Sequence, residues 1–203
     1  MRNIVLGLVL IALAGCTHTG TVSTVRATNV YSGHDSKVPG KVTYIVDTTS
    51  LSKLKKDDTV SGYQCGAHNY PVDGTEAFRA SIPAMLEAVF ENHAAAETPQ
   101  KGTVQLLFRV ERFEPRLKFN RKFFGSDADA TVDIAVSITG TLDGKRIFGT
   151  SVDGQRTKSG DGGAFCGSGG EVVADATRDA IKDVLEKLGE RLTNSQQLRA
   201  AKQ

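Results

Sequence analysis

The first of the three cysteines in this chain, Cys16, ends an apolar run. Arg2 gives the chain a basic start, residues 4–14 are almost wholly apolar, and Ala14-Gly15 stand immediately before the cysteine. A charged start, a short apolar core and small residues at its end are typical of a cleaved secretory signal. The run is well under the roughly 20 residues needed to cross a bilayer as a helix. We therefore expect residues 1–15 to be a signal peptide.

The stretch Leu13-Ala14-Gly15-Cys16 resembles a bacterial lipobox. The resemblance implies that diacylglycerol is transferred to the Cys16 thiol, that the chain is cut before this cysteine, and that an acyl chain such as palmitate is added to the new amino group. Two or three acyl chains anchor a protein stably, whereas one is marginal. By analogy with enterobacterial sorting, in which Asp after the cysteine retains a lipoprotein on the inner membrane, Thr17 predicts an outer-membrane protein that faces the periplasm.

Cys65 and Cys166 form an even pair in a compartment that we expect to be oxidising, which predicts a disulfide bond between them. The bond would close a loop of about 100 residues, for which the chain-entropy model gives roughly 4.7 kcal/mol. Two alternatives remain. Cys65 and His68 have C-x-x-H spacing, so with Cys166 they could ligate zinc, or they could act as a Cys–His nucleophilic pair. With the disulfide formed, we expect no metal and no cofactor.

A basic, aromatic stretch is the best candidate for an interaction surface. No acidic residue falls between Pro115 and Gly125. Because proline interrupts strand pairing, we expect this stretch to extend beyond the sheet as a long hairpin connection. Cations beside exposed aromatic rings suit anionic glycolipids, phospholipid headgroups or an acidic protein; the alternative is a solvated hairpin whose phenylalanines fold back onto the core. The candidate residues are Arg116, Lys118, Phe119, Arg121, Lys122, Phe123 and Phe124.

Other motifs that could carry chemistry have structural interpretations. The glycine-rich loop over residues 160–170 lacks the Lys-Ser/Thr of a P-loop, and Ser168 with Glu171 predicts a helix-capping box. Some acidic residues have a spacing that fits catalytic carboxylates and an exposed strand face equally well. These pairs are Asp127 with Asp129 and Asp133 with Asp153. We therefore expect a protein that is not an enzyme.

The charge balance argues against a nucleic-acid ligand. The chain has 25 Lys and Arg against 23 Asp and Glu, a formal net charge of +2, and loses Arg2 with the signal. A nucleic-acid-binding domain is usually strongly basic, with its cations clustered on one face.

Beyond the signal, we predict a tether, one domain and a tail. Residues 16–40 are rich in Thr, Ser and Gly without a sustained period, which predicts a flexible tether of about 25–30 Å. Residues 41–194 are enough for a single periplasmic domain with its own core. Residues 195–203 are expected to fray.

Within this domain, apolar periodicity predicts an α+β fold. Alternation predicts strands from Lys41, from Val104 and over residues 131–139, with a hairpin turn at Asp143-Gly144 leading into a further strand. Helical spacing predicts a first helix that Pro83 kinks or delays, and a last helix over about 169–193. We expect a two-layer sandwich in which two amphipathic helices cover one face of an antiparallel sheet of about four to five strands.

The lipobox, tether, alternating strands and closing amphipathic helix are similar to small α+β lipoproteins that serve as auxiliary or assembly factors in Gram-negative envelopes. Examples are the auxiliary lipoproteins of ABC-type transport systems and the lipopolysaccharide-assembly lipoprotein. The resemblance implies a membrane-anchored, non-enzymatic binding or assembly factor with an envelope partner. The alternatives are a binder of anionic glycolipid or phospholipid through residues 116–124, and an enzyme that uses Cys65 and His68.

Overall fold

A sheet of long strands and a layer of helices form the fold in a computed structural model of the chain. The structure describes residues 16–27, 29–56, 59–61, 65, 68–163 and 166–201, so the predicted signal peptide lies outside the described residues. The strands are β1 (Val38–Val46), β2 (Lys55–Lys56), β3 (Thr59–Ser61), β4 (Val72–Asp73), β5 (Phe90–Ala95), β6 (Val104–Arg121), β7 (Ser126–Leu142) and β8 (Lys145–Asp161). The helices are α1 (Thr48–Leu51), α2 (Thr75–Val89), α3 (Gly169–Thr193) and α4 (Gln196–Ala200), with a 3-10 turn at Ser52–Leu54.

The main sheet has the strand order β5-β1-β6-β7-β8, with β3 also paired to β6. β6, β7 and β8 are antiparallel, whereas β1 runs parallel to both β5 and β6. The helix α2 lies between β1 and β5 in the chain and returns it to the starting edge, which allows the parallel pairing. The predicted α+β class and layered arrangement are confirmed; the sheet is mixed rather than wholly antiparallel.

Strict alternation along β7 separates the two faces of the sheet. Its inward side chains, from Ala128 to Ile138, are buried, and those between them, such as Asp133 and Ser137, are half-buried. The inward face packs against α2 and α3, whose Phe78 and Leu185 are fully buried. The opposite face is polar and carries no helix in the described part of the chain.

The turns at the two ends of the β7 strand differ from each other. Asp143 and Gly144 join β7 to β8, and both have positive φ, 49° and 79°, as the predicted two-residue turn demands. At the other end β6 continues to Arg121 and stays paired with β7 throughout, through a bulge after Val110. The prediction that Pro115 ends the pairing is therefore wrong. Pro115 is paired with Val132 of β7 and lies between the parts of β6 that pair with β1 and with β3.

Both predicted amphipathic helices are present. α3 runs from Gly169 to Thr193, as predicted, although the Ser168 side chain makes no capping hydrogen bond and the expected capping box does not form. α2 begins at Thr75 and continues through Pro83, so the predicted delay of its start does not occur. None of the helices in the described residues is long and apolar enough to cross a membrane.

The segment before β1 is packed on the domain, which differs from the predicted tether. Val25 is buried, and its N–H donates to Ser81 Oγ on α2 at 2.9 Å. Further along, the N–H of Gly33 donates to Asn194 Oδ1 at 2.8 Å at the end of α3. The apolar residues of this segment are few and irregularly spaced, because the segment crosses two helices instead of forming one itself.

Residues 195–201 pack on the domain, whereas the sequence predicts fraying over residues 195–203; the last two of these lie outside the described residues. Ser195 caps α4 by accepting the N–H of Leu198, whose side chain is fully buried. The Arg199 guanidinium donates to the carbonyl oxygens of Thr193 and Ser36 at 2.8 and 2.9 Å. One apolar anchor and one bridging arginine therefore hold this short helix against the domain.

Candidate functional site

Cys16 is fixed to the folded domain by backbone hydrogen bonds. Its carbonyl accepts the N–H of Asn69 at 3.0 Å, and the N–H of His18 donates to the Asn69 carbonyl at 2.8 Å, so Thr17 and Asn69 form a parallel bridge. The Cys16 side chain is exposed and its thiol is free. A lipid attached to this sulfur would start directly at the surface of the domain.

An aromatic cluster of His18, His68 and Tyr70 lies beside this bridge. The His18 and His68 rings stack at a centroid distance of 5.0 Å, and His18 Nε2 lies 2.8 Å from His68 Nδ1. That hydrogen bond requires one nitrogen to carry the proton and the other to accept it. The Tyr70 ring stacks on His18 at 5.5 Å, and its hydroxyl donates to the Cys166 carbonyl at 2.9 Å. The cluster thus joins the start of the described chain to the loop that precedes α3.

Three potential metal ligands meet here, which the sequence analysis missed. One ligand atom each from Cys16, His18 and His68 lies within 4.8 Å of the others. Zinc accepts sulfur and imidazole nitrogen, but the sulfur ligand is a thiolate. An acylated Cys16 is a thioether, so lipid attachment and this metal site exclude each other. The cluster escaped prediction because His18 falls in the segment that the sequence predicts to be a tether.

The predicted disulfide is confirmed. Cys65 and Cys166 are bonded across a sequence separation of 101 residues, with their Cα atoms 5.9 Å apart. Both thiols are consumed, so the alternative zinc site and the alternative Cys–His nucleophile are wrong. The bond joins the segment before α2 to the loop before α3. It is next to the aromatic cluster, because the Cys166 carbonyl accepts the Tyr70 hydroxyl.

The seven candidate residues of the basic stretch do not form one surface. Arg116 and Lys118 point to the polar outer face of the sheet, where Arg116 pairs with Asp133. Phe119 points the other way and is only 7% exposed. Its ring lies 5.3 Å from that of Tyr70. Strand alternation therefore separates neighbours that look like one patch in sequence.

The remaining four residues lie at the end of β6 and in the turn into β7; together with Gly125 they form what we call the hairpin tip (residues 121–125). Lys122 pairs with Asp127, and this hydrogen-bonded carboxylate raises the pKa of Lys122. Phe123 and Phe124 are 94% and 87% exposed, and their rings meet edge to face at 4.7 Å. Arg121 has no ion-pair partner among the described residues. The tip thus presents an adjacent pair of bare aromatic rings.

The hairpin tip and Cys16 lie at the same end of the molecule. A continuous set of ring contacts runs from His18 to Tyr70 and from Tyr70 to Phe119, two residues before the end of β6. Gly169 lies under this junction, where a Cβ would be 2.6 Å from both Phe119 Cζ and Tyr70 Cε1. The exposed thiol and the exposed phenylalanines are therefore supported by one packed cluster.

The acidic pairs singled out in the sequence are engaged with basic or amide groups. Asp133 pairs with Arg116, and Asp153 accepts from Arg112 at 3.0 Å. Asp127 pairs with Lys122, and Asp129 accepts from Asn120. These carboxylates lie along the outer face and at the tip, in the arrangement of a solvated, charge-balanced strand surface.

No protein-family model matches the chain, and no curated protein matches its sequence. Among solved structures, the chain is similar to a protein of the DUF330 family from Xanthomonas campestris, with a TM-score of 0.46, 12% identity, and coverage of 88% of this chain and 92% of the other. It is also similar to a minor lipoprotein from Acinetobacter baumannii, with a TM-score of 0.45, 10% identity, and coverage of 78% and 93%. Likeness at this level assigns neither a family nor a role.

Proposed function

We propose that this protein is an envelope lipoprotein, anchored through Cys16 in the outer membrane and facing the periplasm, where its domain acts as a non-enzymatic binding or assembly factor. The observation that carries the proposal is the exposed thiol of Cys16, which is the last residue of the lipobox-like stretch and is fixed at one end of the folded domain. The Cys65–Cys166 disulfide supports an oxidising compartment.

A binding role rather than catalysis is supported by what the reactive groups do. Both candidate nucleophiles, Cys65 and Cys166, are tied up in the disulfide, and the paired carboxylates bridge to cations. The sheet surface of the domain remains available for binding. The polar outer face of the sheet is open, and β8 has β7 on one side and no strand on the other among the described residues. Such an edge can accept a strand from a protein partner.

Charge-driven binding of an anionic glycolipid or phospholipid by residues 116–124 receives less support. Phe119 is buried, and Arg116 and Lys122 already pair with aspartates. Only Lys118 and Arg121 of the four cations have no ion-pair partner in the described structure.

Metabolic labelling with an alkyne-bearing palmitate tests the anchor. We expect the label on the wild-type protein, and on a Cys166→Ser control, because that cysteine lies in the folded domain. Label should be absent from Cys16→Ser, which removes the acceptor sulfur. Intact mass should show a mature chain that begins at Cys16. An unlabelled chain that begins elsewhere would contradict the proposed anchor.

Photo-crosslinking in cells tests the binding role. Probes replace Lys118 on the outer face of β6 and Gln155 on β8, both exposed, and Phe119 serves as the buried control. We expect a discrete protein adduct from at least one exposed position and none from the control. If neither exposed position gives an adduct in correctly anchored protein, this face of the sheet is not the binding surface.

A further inference from the structure

Two adjacent, almost fully exposed phenylalanines need an explanation. Phe123 and Phe124 are 94% and 87% exposed, and among the described residues only Tyr31, at 75%, is a comparably bare large hydrophobic side chain. Each phenylalanine ring can bury roughly 150–250 Å². Together they form an apolar patch of a few hundred Å², comparable to the largest patch on a typical monomer, which is often functional. The patch stands on a turn, with no fold-back onto the core.

The position of the Phe123–Phe124 patch indicates which kind of surface it contacts. The tip is connected to Cys16 through Phe119, Tyr70 and His18, so the rings and the lipid-bearing sulfur lie at the same end of the molecule. No flexible linker separates Cys16 from the domain, because the Cys16 carbonyl accepts the N–H of Asn69. Acyl chains on Cys16 therefore bring a bilayer surface to the end of the molecule where the tip is exposed.

The charges of the tip favour an apolar contact with that surface. Lys118, Arg121 and Lys122 lie on the β6 side, and Asp127, Asp129 and Asp161 lie on the paired ends of β7 and β8. The two signs balance, so net charge does not supply the attraction. Phenylalanines are among the side chains that bury at the headgroup–acyl boundary, while Lys and Arg stems reach back to the headgroups.

We propose that the hairpin tip is a second membrane contact, in which Phe123 and Phe124 insert into the interface of the bilayer that holds the Cys16 acyl chains. This inference rests on the proposed lipid anchor. This contact fixes the orientation of the domain on the membrane, because the lipidated Cys16 and the hairpin tip both touch the same bilayer surface.

A single-tryptophan experiment tests the insertion, since the chain contains no tryptophan. Lipidated full-length mature protein carrying Phe124→Trp is reconstituted into vesicles of phosphatidylcholine and phosphatidylglycerol with brominated acyl chains. Tyr31→Trp is the matched control. The Tyr31 carbonyl accepts from Asn194 at the far end of α3, a helix of 25 residues that spans roughly 37 Å from the Cys16 end.

We expect the emission of Phe124→Trp to shift to shorter wavelength and to be quenched by the bromines, while Tyr31→Trp emits as in water. Quenching should persist from about 0.1 M to 1 M salt, over which the Debye length falls from about 10 Å to 3 Å. Quenching that disappears with salt would show a charge-driven contact and overturn the apolar insertion.

The same preparation separates the two possible failures. If intact mass shows acylated Cys16 and the protein floats with the vesicles, but Phe124→Trp emits like the control, the insertion is overturned while the anchor stands. The rings would then be free for a protein partner. If the protein carries no acyl mass and does not float, the proposed anchor fails and the insertion fails with it.

Discussion

The substitution Gly20→Ala distinguishes a packed N-terminal segment from a flexible tether by its effect on the free energy of unfolding. A Cβ on Gly20 would lie 2.5 Å from the carbonyl carbon of Gly170 and 2.7 Å from the Ala174 Cβ, both at the start of α3. Neither neighbour can yield easily, because one is backbone and the other sits on the helix. The backbone of Gly20 itself has no positive φ that would penalise alanine.

The two arrangements predict different changes in the free energy of unfolding. Overpacking a well-fitted contact typically costs about 1–3 kcal/mol. For a domain of this size that lowers Tm by roughly 2–12 °C. In a flexible tether, the same substitution would leave the free energy of unfolding within about 0.5 kcal/mol of the parent, because no native contact is disturbed. The packed structure therefore predicts destabilisation.

Thermal and urea unfolding of the mature chain with Cys16→Ser, which removes lipid from the assay, measures this difference. The matched control is Gly167→Ala, where a Cβ would meet only His18 at 3.8 Å, an ordinary contact. We expect the control to stay within about 0.5 kcal/mol of the parent. Hydrogen exchange over residues 17–33 should accelerate in Gly20→Ala alone. A Gly20→Ala protein as stable as its parent, with unchanged exchange, would refute the packing.

Three further predictions concern the rest of the domain. Truncating the buried ring in Phe119→Ala should cost about 3–5 kcal/mol in denaturant unfolding, whereas Phe123→Ala at the tip should stay within about 0.5 kcal/mol. Cys166→Ser should lower the free energy of unfolding by about 2–5 kcal/mol, and reduction of the wild-type protein should lower it similarly. For Asp179, desolvation raises the pKa but hydrogen bonds from Lys158 and Arg178 outweigh it, so the folded pKa is lowered. The ionised Asp179 contributes fully to the free energy of unfolding above the unfolded pKa of about 3.9, and this contribution is lost as the pH falls through the folded pKa. When the pH is lowered below about 4, the urea midpoint should therefore fall less in Asp179→Asn than in the wild-type protein.

The sequence predicts the fold best where side-chain alternation is enforced by burial on one face. β7 is the clearest case, since an inward run from Ala128 to Ile138 leaves only one register that hides the apolar side chains. The turn at Asp143-Gly144 adds a local signal that needs no tertiary contact. β5 gave no such signal, because its place beside β1 depends on a parallel crossover through α2 that no local pattern encodes.

The candidate site was only partly predictable, because its parts are distant in sequence. The Cys65–Cys166 bond follows from cysteine count and compartment. His18 and His68 meet only because the segment after Cys16 packs on the domain, and that packing depends on close approaches at Gly20 and Gly170. The glycines near Cys166 were interpreted as loop residues; the structure shows that Gly169 and Gly170 make room for neighbouring rings and backbone. Secondary-structure propensity and apolar periodicity carry no information about such contacts.

The hydrogen bond between Cys16 and the domain changes what the proposed lipid anchor would do. A flexible tether of about 25–30 Å would let the domain tumble and search for a partner at many heights above the membrane. Here the carbonyl of Cys16 accepts the N–H of Asn69, so a lipid on Cys16 would hold the membrane surface against this end of the domain. The β6 strand has 18 residues and would extend from that end over roughly 55 Å if straight. Under the proposed anchor, the open sheet face and the β8 edge would lie at fixed heights above the membrane, where a partner in the same membrane would meet them in one orientation. Such rigid presentation lowers the entropy lost on binding, and it would favour an assembly role beside another membrane protein over capture of a freely diffusing ligand.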